Sequence, residues 1–187
     1  MGISYVGLIS TNLSSHAQNV LDNDPGEILT YYIENQKNFI SLDRYSYVAN
    51  SWQRKANDIN LNSVGHSEED KTFIRNIFIE LDPLIDIDFV EMSNNNGSDI
   101  DIYSVSSSST FENNTLGQVI KQTSSSGSWW DILWKETDNK LISSSVDKNT
   151  IVHEIGHALG LSHPYEDPFN NQWSSSDTIM SYNMNIN

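Results

Sequence analysis

From residue 67 to residue 81, apolar side chains recur at Phe73, Ile74, Ile77, Phe78 and Leu81, the spacing of one buried stripe on a helix. Ser67, with Asp70 three residues on, has the form of a helix N-terminus, and Pro83 stops the pattern. A period of two then takes over. Ile85, Ile87 and Phe89 alternate with Asp86, Asp88 and Val90; after the turn Asn94-Asn95-Asn96-Gly97, Ile100, Ile102 and Val105 alternate with Asp101 and Ser104. This predicts two strands that are neighbours in a sheet. Residues 45–52 alternate as an earlier strand, whereas 57–63 read as loop. Residues 116–120 form a short apolar stretch between Ser-rich spacers at 106–109 and 124–128. Upstream, an Asp22-Asn23-Asp24-Pro25-Gly26 turn precedes an apolar cluster of Ile28, Leu29, Tyr31, Tyr32 and Ile33, and the pattern assigns residues 1–44 no role.

A chain of 187 residues is the size of one domain with one core. Its 10 Lys+Arg against 25 Asp+Glu leave a formal charge of -15, which disfavours nucleic acid and anionic lipid as partners. Only 37% of residues are hydrophobic, yet 5 Trp and 8 Tyr supply the bulk for a folded core. Cys is absent, so any protein-held metal must rely on His and carboxylates. The start of the chain lacks the basic and apolar stretches of a secretory signal, and no apolar run has membrane-spanning length.

The chemistry concentrates in residues 151–164, Ile-Val-His-Glu-Ile-Gly-His-Ala-Leu-Gly-Leu-Ser-His-Pro. On a helix beginning near Asp147, His153 and His157 lie one turn apart and face the same point. Glu154 sits off that line, suited to reach a water on a metal rather than the metal. A straight helix would carry His163 away, so the chain must turn, and Gly160 is where a left-handed residue costs nothing. Three His ligands leave a fourth position for water, the mark of a catalytic zinc site. The plainer alternative is that these histidines belong to an ordinary amphipathic helix packed through Ile151, Ile155, Ala158 and Leu159. Three of the 5 His in one short window at ligand spacing weigh against it.

The series His153-Glu154-x-x-His157-x-x-Gly160-x-x-His163 resembles the elongated zinc motif of the metzincins, and Thr178-Ile179-Met180-Ser181-Tyr182 resembles their Met-turn. Pro164 directly after the third His, together with Met-Ser-Tyr, resembles the serralysins rather than matrixins, astacins or adamalysins. The resemblance implies a zinc endopeptidase with one catalytic ion on His153, His157 and His163. It further implies Glu154 as general base, Met180 as an apolar floor under the imidazoles and Tyr182 close to the zinc or the reacting carbonyl. It implies an α+β zincin-like fold: a twisted mixed sheet of about five strands with an edge strand along the cleft, two long helices and a small C-terminal subdomain. The corresponding boundaries are an upper subdomain at 45–160 and a lower one at 161–187. The implied partner is a protein or peptide substrate, for a monomeric, secreted enzyme. Three features depart from the family: Tyr165 stands where a Gly often occurs, five residues follow Tyr182 where members continue into a C-terminal helix and a calcium-binding β-roll, and no propeptide is recognisable.

Weaker candidates complete the picture. Asp101, Ile102, Tyr103 and Ser104 form a candidate sheet edge for pairing with an extended peptide, or else an ordinary strand. Trp129, Trp130 and Trp134 read as core more readily than as pocket wall. Asp22, Asp24, Asp86, Asp88, Asp99 and Asp101 raise a Ca2+ possibility without a recognisable motif, and solvated carboxylates are the plainer reading. His16 and His66 lack partners at metal spacing and read as surface residues. The rival to an enzyme is a catalytically silent zinc-holding module, against which the intact Glu154 speaks.

Overall fold

The computed structural model describes residues 3–24, 26–137 and 145–183. Pro25 of the anticipated turn lies outside them. The described residues form α-helices α1 (Thr11–Leu21), α2 (Glu68–Leu81) and α3 (Ser145–Ala158). Seven strands accompany them: β1 (Ile28–Ile33), β2 (Phe39–Val48), β3 (Ser51–Ser63), β4 (Asp88–Met92), β5 (Ile100–Ser108), β6 (Gly117–Ser124) and β7 (Gly127–Lys135). The fold is mixed α+β. None of the described helices is long and apolar enough to cross a membrane.

The α2 stripe forms as anticipated: Ile74 and Phe78 are buried, while Phe73, Ile77 and Leu81 pack at the core margin. Ser67 Oγ accepts the Asp70 N–H, and Asp70 Oδ2 accepts the Ser67 N–H at 2.8 Å, a reciprocal cap that satisfies two helix-end donors. Burying a side chain such as Ile74 or Phe78 contributes about 1.5–3 kcal/mol, far more than helix propensity.

Five strands run in the order β4-β1-β5-β7-β6. All neighbours are parallel except the β6–β7 pair. The antiparallel β2–β3 hairpin joins β5 beyond the end of β1, at Ser63↔Val105 and Leu61↔Ser108. Alternation along β5 and β7 separates the two faces. Ile100, Ile102, Trp130, Ile132 and Trp134 meet Val20, Ile74, Phe78, Ile151, Ile155 and Ala158 from the three helices. On the other face Tyr103, Val105 and Leu133 meet Ile59, Leu61 and Ile120.

Several expectations need correction. Residues 57–63 are strand rather than loop, because Ile59 and Leu61 are fully buried among polar neighbours. The spacer at 106–109 continues β5 as far as Ser108 through pairing with β3, and 124–128 is the tight β6–β7 turn. β4 and β5 are not neighbours, since β1 lies between them. β5 is therefore no edge strand: Ile102 pairs with Ile33 on one side and Ile132 on the other. Among the described residues β6 pairs with β7 alone and β4 with β1 alone, so these two are the edges of the five-strand order. Residues 3–44, without a role in the pattern, supply α1, β1 and most of one arm of the hairpin.

Candidate metal centre

α3 starts at Ser145, and Asp147, the anticipated cap, lies in its first turn, where it accepts the Thr137 hydroxyl at 2.6 Å. Further along, His153 and His157 place their ring centroids 4.6 Å apart. The helix ends at Ala158, and two residues on Gly160 has a φ of +95°, accessible at little cost only without a Cβ. The Gly160 N–H bonds the His157 carbonyl at 3.0 Å and the Leu161 N–H bonds that of Gly156 at 2.9 Å. This paired closure reverses the chain. It brings the His163 ring to 5.2 Å from His153 and 4.8 Å from His157.

The Nε2 atoms of His153 and His163 are 3.2 Å apart. Two nitrogens at about 2.0–2.1 Å from a tetrahedral zinc ion stand roughly 3.3 Å apart, so the spacing fits. One ligand nitrogen from each of the three rings lies within 4.8 Å of the others, and the group could hold a metal ion. Nδ1 of His153 donates to the Ile179 carbonyl at 2.9 Å and Nδ1 of His157 to that of Leu161 at 2.8 Å. A carbonyl only accepts, so both rings keep the proton on Nδ1 and leave the Nε2 lone pair for a cation. Burial lowers the basicity of all three imidazoles, pushing His157 and His163 down to about 4, so they are neutral near pH 7 and competent to ligate.

Ile179, which orients His153, adjoins Met180, and Met180 is completely buried. Its Sδ lies 3.0 Å from where a Gly156 Cβ would be, so this glycine lets the thioether sit against α3 between the two ligand turns. Glu154 is 4% exposed, and burial lifts its carboxyl to about 8. It rests on Gly117 at the start of β6: a Cβ there would stand 2.4 Å from Glu154 Oε1. The Tyr182 ring lies 5.1 Å from that of His153 and 4.9 Å from that of His163, and the residue is 48% exposed, not a core tyrosine.

Three convergent imidazoles could thus hold a metal ion, and the carboxyl of the neighbouring Glu154 is buried. Residues 44–187 match the family model of metallo-peptidase family M12. The chain belongs to this family. Family M12 membership supports a zinc-dependent peptidase acting on proteins or peptides, while the match does not reach the serralysin-like subtype. A search of curated proteins finds no match.

Other candidates of this M12 chain fall away from the centre. Asp101, Ile102, Tyr103 and Ser104 are buried; β7 pairs with all four, β1 flanks Asp101 and Ile102 on the other side, and the Ser104 carbonyl accepts the Val64 N–H, so this stretch lies inside the sheet rather than at an edge. Asp101, Tyr103 and Trp129 line a cavity of about 580 Å³ on the face opposite the helices, remote from the histidines. Trp130 and Trp134 are core. Asp99 and Asp101 are buried rather than solvated; Asp99 accepts the Thr30 N–H at 2.8 Å, and Asp101 bonds Ser98. Among the described residues, the His153, His157 and His163 group alone has the convergence a metal requires. His16 and His66 are not surface residues: His16 sits edge-on to Trp130, and His66 accepts the Trp134 indole N–H at 2.9 Å. Sequence reasoning missed Gly117 and Gly156. An isolated Gly in a strand pattern signals close approach by another group, and Gly117 carried that signal within the apolar stretch 116–120.

Proposed function

We propose that this M12 protein is a zinc endopeptidase in which His153, His157 and His163 hold the ion and Glu154 is the general base. The observation that supports this most is the convergence of three ring nitrogens, two of them pinned by backbone carbonyls, next to a buried carboxylate. Zinc, when bound, supplies the Lewis acidity that polarises a scissile carbonyl and acidifies water. Glu154 takes a proton from the attacking water and returns it to the leaving amine. Burial alone favours the neutral carboxyl, and a divalent cation among the neighbouring rings favours the ionised form the reaction needs. Tyr182, half-exposed beside His153 and His163, donates its hydroxyl to the developing oxyanion.

The substrate backbone adds to the outer edge of β6, which leads away from the Gly117–Glu154 contact. Main-chain pairing there gives affinity with little demand on sequence. Pro164 after His163, and Met180-Ser181-Tyr182 with Met180 buried below α3, favour a serralysin-like metzincin site with a Met-turn floor. In this reading the described residues from 161 onward form the lower part of the cleft and those between 45 and 160 the upper part, to which α1 and β1 also belong.

The test is zinc content and casein digestion for wild type and Glu154→Gln. About one zinc per chain is expected in both, with cleavage by wild type alone. Zinc in both with only background cleavage would point to the silent binding module. No zinc in either would leave three histidines that merely pack.

A further inference from the structure

Two of the three imidazoles ride on one rigid helix, whereas His163 arrives on a loop. That loop is gripped by residues 7–14, which lie outside the stretch matched to family M12. The Leu8 carbonyl accepts the Ser162 N–H at 2.8 Å, and Ile9 forms an antiparallel bridge with Leu161. Ser14 Cα lies 3.2 Å from where a Gly160 Cβ would be. Gly7 is buried beneath the Tyr165 ring, so close that a Cβ would meet Cζ at 2.7 Å and Cε2 at 2.9 Å.

Tyr165 and Glu166 follow His163 closely with φ of 52° and 62°, a left-handed pair that side chains disfavour. Such a conformation persists only where its surroundings over-determine it. Here the half-exposed Tyr165 ring rests against Gly7 and stacks on Trp173, whose ring centroid is 6.3 Å away. The aromatic residue at a glycine-like position is therefore a lever joining the N-terminal segment to the loop that carries His163.

We infer that the segment from Gly7 to Ser14 is a clamp on the Leu161-to-Tyr165 loop, and that its seating sets how tightly the three-histidine centre holds a divalent ion. The inference rests on the metal-centre reading above. Groups that orient a ligand from behind typically change metal affinity 10- to 100-fold when disturbed. Gly7 has no left-handed φ, so an added methyl acts on Tyr165 rather than on its own backbone.

The experiment measures the zinc Kd of the full chain by competition with a chromophoric chelator. The chains compared are wild type, Gly7→Ala, Tyr165→Gly and the double variant, with circular dichroism confirming the fold. Gly7→Ala is expected to weaken zinc binding about 10-fold or more, and to cost almost nothing once Tyr165→Gly has removed the opposing ring. Gly7→Ser, of similar size, repeats the measurement should Gly7→Ala not fold. An unweakened Kd in a folded Gly7 variant, or an equal loss in both backgrounds, overturns the clamp while leaving the metal centre intact. Wild type that takes up no zinc overturns the metal centre, and the clamp with it.

Discussion

Replacing Gly117 by Ala puts a methyl group 2.4 Å from Glu154 Oε1, 2.6 Å from Cγ and 2.7 Å from Cδ. Favourable contacts begin near 3.5 Å, so the carboxylate must withdraw by about 1 Å. Rotating the terminal carboxylate alone does not relieve the clash, because Cγ is also too close. Glu154 is enclosed, which limits where it can go. The three atoms nearest the new methyl all belong to Glu154, so the imidazoles are left in place. A misplacement of about 1 Å costs about 10²-fold in rate, within the 10²–10⁴-fold that general base catalysis contributes. The expected outcome is therefore a kcat lower by about 10²-fold, a barrier higher by about 2.7 kcal/mol, with zinc content unchanged. Hydrolysis of a fluorogenic peptide at saturating zinc measures it, and Ala in a strand brings no backbone penalty to confuse the result. A kcat within about threefold of wild type would refute the idea that Gly117 positions the base.

Two further outcomes concern stability. His66 is buried, and burial pushes its imidazole down to about 4. A base with a lowered folded-state value contributes stability present above the unfolded value of 6.5 and lost as pH falls through about 4, here about 3 kcal/mol. Urea unfolding of the metal-free chain should thus show a weaker loss between pH 6.5 and 4 in His66→Phe, and an unchanged slope would mean the protons bind elsewhere. Gly160→Ala forces a side chain into φ +95° and against Ser14. It should lower metal-free stability by about 1–3 kcal/mol, and a denaturation midpoint equal to wild type would contradict the strain.

The readable parts of the molecule are those whose cause is local. Ser67 and Asp70 meet within one helical turn, the stripe from Phe73 to Leu81 follows the helical period, and the reversal at Gly160 needs only a residue without Cβ. His153 and His157 converge because of helix geometry alone, and His163 follows from a turn three residues earlier. These features involve neighbours a few positions apart, so residue spacing by itself determined them.

Whatever depends on which distant segments meet could be decided only by the tertiary structure. An alternating strand reads the same at an edge as in the middle of a sheet, so β5 passed for the edge until β1 and β7 were seen on either side of it. Polar composition disguised residues 57–63 because alternate positions, Ile59 and Leu61, are buried by a sheet formed with residues far along the chain. His16 and His66 are buried by Trp130 and Trp134, more than sixty residues away in each case. Gly117 meets Glu154, and Gly7 meets Tyr165, only after the sheet and helices have assembled. The three-histidine cluster is thus written in local spacing, whereas the Gly117 contact beneath Glu154, the open edge of β6 and the grip on the loop that carries His163 arise from long-range packing that no short pattern encodes.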